Sequence, residues 1–139
     1  MATQLVFPIS RRFHTTELGL EIPCILERNA VQVKVSAKVD PGSEYCLFSR
    51  EAADELGIDV LDGPPVRLST LAGGLTANSH WLTLHTLGVR FESLVLFHPA
   101  YGTGRNILGR RGWLNNLHMA LTMDDEMIHL KSLVDAEES

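Results

Sequence analysis

Cysteine is scarce in this chain, with Cys24 and Cys46 alone, so no disulfide framework can staple the fold. Both lie in apolar surroundings, and in a chain of this length they are expected to be buried thiols in a reducing cytoplasm. No Cys-x-x-Cys or His-Glu-x-x-His spacing occurs, and His80 and His85 would face opposite sides of a regular strand. No metal is therefore expected. No apolar run approaches the roughly 18 residues of a membrane span. Positive charge is also in deficit: 12 Lys and Arg stand against 17 Asp and Glu, a net charge of -5. That balance argues against a broad electrostatic grip on nucleic acid or on an anionic membrane. Aromatics make up only 6%, and no basic stripe accompanies Trp81 or Trp113, so these rings are expected in core or dimer packing, not as a stacking platform. Repeats, heptads and low-complexity tracts are missing. The opening MATQLVFPISRRF has no basic leader ahead of a long apolar run, which predicts no signal peptide.

What the chain does have is strict alternation. Val31, Val33, Val35, Ala37 and Val39 face one way and Gln32, Lys34, Ser36 and Lys38 the other, the period of a strand with one wet face. LEIPCILE before it reads as a second strand, with ERNA as the turn between them. After YCLF, Ser49 caps a short helix REAADEL that ends at Gly57. VRLSTL and LTANSHWLTL form a hairpin whose tight turn is assigned to Gly73-Gly74. VRFESLVLF is a strand with Val89, Phe91, Leu94 and Leu96 as burial candidates. NILG is a brief buried strand, RRGWLNNL a short helix, and HMALTMD and EMIHLKSL two final strands joined at Asp124-Asp125. The expectation is one mainly β domain over residues 1–139, closed or barrel-like, with one or two short helices. Its core spans about residues 20–131, and the acidic tail 135–139 is expected to fray.

The alternating strand ends abruptly on Asp40-Pro41-Gly42-Ser43. These are turn formers, and a plain turn accounts for them locally. A carboxylate directly after Val39 is nevertheless costly to desolvate unless paired or used. GTGRNILGRRG gathers Arg105, Arg110, Arg111 and several glycines, but it lacks the Lys-Ser/Thr pair and the spacing of a phosphate-binding loop.

AKVDPGS, the Gly-containing hairpin LSTLAGGLTA and the later NILGRRGWL occur in the order found in retropepsin-like aspartic proteases. The resemblance covers roughly residues 20 to 131. It implies an acid-protease barrel with a flap hairpin, no cofactor, and Asp40 as the catalytic residue. One suitable Asp-x-Gly occurs in the chain, so the resemblance implies a homodimer in which Asp40 meets its own copy. Two close carboxylates cannot both ionise and so share a proton, which lets the pair activate water and protonate a peptide carbonyl. Pro41, Gly42 and Ser43 would form the catalytic loop. The Gly42 N–H would hydrogen-bond the carboxylates, and the Ser43 hydroxyl would add a second donor. Ser69, Thr70, Leu71, Ala72, Gly73 and Gly74 would form the flap over an extended peptide or protein substrate. Ile107, Leu108 and Gly109 would back the catalytic loop, and Arg110 would form a buried or half-buried pair with Glu44.

Pro41 departs from the family pattern. There a Thr or Ser hydroxyl and N–H cross-link the two subunits, and proline has neither group. Two such links, at roughly 1 kcal/mol each, would be missing. The alternative implied by this departure is a non-catalytic dimer that binds an extended peptide or protein partner.

Overall fold

The valine alternation becomes β4 (Val31–Val39), in which Val33, Ala37 and Val39 are buried. In the computed structural model, which describes residues 4–17, 19–70, 73–102 and 105–134, β4 pairs antiparallel with β3 (Gly19–Arg28). Asn29 and Ala30 make the connecting turn in left-handed backbone. The tail 135–139 lies outside the described residues.

Two long strands supply the opposite wall. β7 (Gly73–Thr86) pairs antiparallel with β8 (Val89–Phe97) along their length, and β6 (Pro65–Thr70) pairs with β7 on its other side. Between the two walls run the short strands β5 (Leu47–Phe48) and β9 (Ile107–Leu108). Together with β2 (His14–Thr16), the order is β2-β3-β4-β9-β5-β8-β7-β6. An additional pairing of β3 with β7, Leu26 opposite Leu84, closes the sheet on itself. The closed form buries the inward faces of β3, β4, β5, β7, β8 and β9, which is why a chain with so few aromatics still forms a core around Phe48, Phe97, Leu26, Leu84 and Trp113. A second sheet, β1 (Ile9–Arg12), β11 (Met127–Ser132) and β10 (Leu117–Thr122), joins both ends of the described chain.

Among the described residues the single α-helix, α1 (Arg50–Leu56), packs on β3 and β4. Ser49 caps it by accepting from the Ala52 N–H, and Gly57 ends it with φ of 75°, as its flanking residues predict.

Three expectations are corrected. RRGWLNNL does not make an α-helix: only a 3₁₀ turn, Leu114–Asn116, forms. Trp113 enters the core and donates from Nε1 to Thr86 Oγ1 at 2.9 Å, so packing wins over helical continuation. Leu94 is exposed, and Ser93 takes the inward position on β8. Strict alternation from Val89 puts 91, 93 and 95 inside, and Ser93 is tolerated because its hydroxyl donates to the Gly112 carbonyl. Gly73 and Gly74 pair with Thr70 and Ser69 and so belong to β7 and not to the turn; Leu71 and Ala72 lie outside the described residues. Trp81, expected in core or dimer packing, is 64% exposed and lies outside the core of the single chain.

Candidate active site

Asp40 stands where β4 leaves the sheet. Its N–H still donates to the Leu108 carbonyl at 3.0 Å, and the Lys38 N–H to that of Asn106 at 2.8 Å. The bend is a β-turn: the Ser43 N–H donates to the Asp40 carbonyl at 3.1 Å. Proline suits the second position of such a turn because its ring pre-sets φ and its missing N–H is not needed there. Pro41 is exposed. The plain turn is therefore correct as local structure, and it leaves the half-buried Asp40 carboxylate beside an open pocket.

The Gly42 N–H donates to Asp40 Oδ1 at 3.0 Å, as expected. Ser43 behaves otherwise. Its hydroxyl donates to the Tyr45 carbonyl at 2.8 Å, bracing the loop instead of the carboxylate, because the turn carries residue 43 beyond the acid.

β9 crosses beneath this loop. Ile107 lies beside Lys38 in a parallel pair and opposite Leu47 in an antiparallel one, and Leu108 lies beside Val39. Leu108 is fully buried. Ile107 packs in a second apolar cluster with Leu47, Ala77 and Leu96 beneath the β6–β7 hairpin. Gly109 is required by close approach, since a Cβ there would lie 2.2 Å from the Tyr45 oxygen and 2.7 Å from that of Ser43.

The Arg110–Glu44 pair does not form. Arg110 gives its backbone N–H to the Ser43 carbonyl, while Arg111 Nε lies 3.3 Å from Glu44 Oε2. Both side chains are more than half exposed, so the contact is neither buried nor strongly stabilising. Arg111 also stands over the Tyr45 ring, 5.5 Å from its centroid. The bridge between Tyr45 and Arg111 explains the shift: residue 110 pairs with Ser43, whereas the N–H of residue 111 donates to the Glu44 carbonyl and brings its side chain to Glu44.

Asn106 is the residue that sequence reasoning passed over. Its Oδ1 accepts from the Ser49 N–H at 3.1 Å and its Nδ2 donates to the Ser36 carbonyl at 3.3 Å. One amide thus ties β9 to β4 and to the start of α1. The signal available was a lone Asn directly before an apolar strand, a residue with both donor and acceptor.

The hairpin of β6 and β7 rises beyond this site. Ser69 and Gly74 are exposed, and the Arg67 guanidinium lies where a Gly74 side chain would be. Leu71 and Ala72, expected at the tip, and the Thr70 side chain lie outside what is described. Cys24 and Cys46 are free and buried. Burial pushes both thiols up, Cys46 to about 12, and neither can serve as a nucleophile in that state.

The family model for aspartyl proteases matches residues 29–111, the span from the β3–β4 turn through the Asp40 loop to the arginines after β9. The chain belongs to the aspartyl protease family. A crystal structure of a retropepsin-like aspartic protease from Rickettsia conorii superposes on it with a TM-score of 0.63 at 20% identity, covering 87% of this chain and 89% of that one. The fold of this aspartyl protease family member is retropepsin-like. No curated protein matches the sequence. Among the described residues, no helix is long and apolar enough to cross a membrane.

Proposed function

We propose that this chain is an aspartic endopeptidase that works as a symmetric homodimer. Asp40 of each subunit supplies half of a dyad that holds one proton between two carboxylates. The ionised carboxylate takes a proton from water while the water oxygen bonds the scissile carbonyl carbon and the protonated carboxyl gives its proton to the carbonyl oxygen. The resulting tetrahedral diol collapses: the C–N bond breaks, the amine leaves with a proton from the dyad, and a diol hydroxyl returns its proton to the dyad as the carboxylic acid forms. Residues 69–74 would cover an extended peptide held by main-chain pairing. The buried, unpaired thiols favour a reducing compartment such as the cytoplasm.

The observation that carries this reading is the setting of Asp40. A carboxylate at the end of a half-buried strand accepts from the Gly42 N–H, borders an open pocket and is backed by Ile107–Gly109, within the span matched by the aspartyl protease family. An unstructured protein incubated with the purified chain from acidic to neutral pH should be cut, and the Asp40→Asn chain should be inactive. A statine-type transition-state mimic should block the reaction. Cleavage that survives Asp40→Asn removes the mechanism.

Pro41 favours the second reading, a dimer that binds an extended peptide without cutting it. Its expected signature is an inert wild type that gains activity in Pro41→Thr.

A further inference from the structure

A pocket of about 190 Å³ opens beside Asp40. Its walls are charged. Lys38 precedes Asp40 by two residues on β4, and Arg105 enters from the segment that leads into β9. No carboxylate lies within ion-pair distance of either cation among the described residues. The acid that shares the pocket, Glu21, is occupied elsewhere: Oε1 accepts from the Ser36 hydroxyl at 3.0 Å and Oε2 from the Thr16 hydroxyl. Lys38 is half-buried, and its stem lies against Gly19, where a Cβ would come within 3.0 Å of Cε. Asn106, held by Ser36 and Ser49, stiffens the wall behind Arg105.

We propose that this pocket, lined by Lys38 and Arg105, receives an acidic substrate side chain, Glu or Asp, next to the scissile bond. The inference rests on the dyad reading of Asp40 and extends it to substrate class. Two Asp40 carboxylates sharing a proton carry one negative charge between two pockets. Each pocket then holds two cations against Glu21 and half of that charge, a positive excess that favours a substrate carboxylate over a neutral or cationic side chain. A leucine in the same place would strip water from two cations and return no hydrogen bond.

The test uses three non-cleavable statine-type peptides differing only in the residue beside the statine, Glu, Leu or Lys, titrated calorimetrically against the full chain near neutral pH. The Glu peptide should bind about tenfold more tightly than the Leu peptide, the scale of one charge-assisted hydrogen bond in a half-open site, and the Lys peptide most weakly. The preference should shrink as salt is raised. Arg105→Ala and Lys38→Met should each reduce the Glu-to-Leu ratio, and Arg105→Glu should shift preference toward the Lys peptide. Equal or tighter binding of the Leu peptide, a ratio unchanged in both single variants, or no binding of any mimic overturns the proposal. Turnover of the matching cleavable peptides separates the two readings. Glu preference without cleavage removes the catalytic dyad and leaves the pocket, whereas cleavage with Leu preference removes the pocket and leaves the dyad.

Discussion

Gly109 lies so close under Tyr45 that a Cβ on it would sit 2.2 Å from the Tyr45 carbonyl oxygen. This contact seats β9 against the loop that follows Asp40, and the loop is braced there by the Ser43 hydroxyl donating to the Tyr45 carbonyl.

Gly109→Ala should therefore destabilise by about 3 kcal/mol or more, the range for overpacking against backbone. Urea unfolding of the variant, set beside Gly102→Ala, measures it. At Gly102 a Cβ meets nothing within 4 Å, so only its left-handed φ of 76° opposes the change, and the cost there should be roughly 1 kcal/mol. Equal losses at the two positions would contradict the close-approach account.

Asn106→Ala removes an acceptor from the Ser49 N–H and a donor from the Ser36 carbonyl. The expected loss is roughly 1–3 kcal/mol in unfolding free energy. Amide hydrogen exchange should accelerate at Ser49 and across β9 more than in β7. Uniform acceleration would show that Asn106 does not act locally.

Neither thiol should react in the folded protein. Cys24 and Cys46 are buried and their pKa values raised chiefly by desolvation, so the thiolate fraction at pH 8 is negligible. A disulfide-exchange reagent should label no thiol per chain natively and both after denaturation. Rapid native labelling would place at least one thiol at the surface.

His98 makes stability depend on pH. Burial holds its imidazole below the ordinary 6.5, with Glu51 opposing, and its Nδ1 has no partner. Above 6.5 the ring is neutral folded or unfolded, and no penalty arises. As pH falls below 6.5 the unfolded chain takes up the proton first, so stability is lost progressively down to the folded-state pKa. Urea midpoints at pH 7 and pH 5 should differ less in His98→Gln than in the wild type. An unchanged difference would mean that other groups set the acid limb.

Local rules were legible in the residues. Period-2 alternation predicts β4, Ser49 and Gly57 predict both ends of α1, and Asp40-Pro41-Gly42-Ser43 predicts a turn, because each depends only on backbone preferences of neighbouring residues. The ordered motifs likewise point to the family and to the approach of Gly109. Tertiary structure alone decided which side chains meet across strands. Leu94 points outward and Ser93 inward by the alternation that starts at Val89, but the Gly112 carbonyl that satisfies a buried Ser93 is supplied only by the fold. Arg111 replaces Arg110 beside Glu44 because the turn after β9 pairs residue 111 with Glu44 and Tyr45 and residue 110 with Ser43. Lys38 and Arg105 lie far apart in the chain and share a pocket only because β9 lies beside β4. Closure of the barrel sets such distances, and nearest-neighbour patterns carry no record of them.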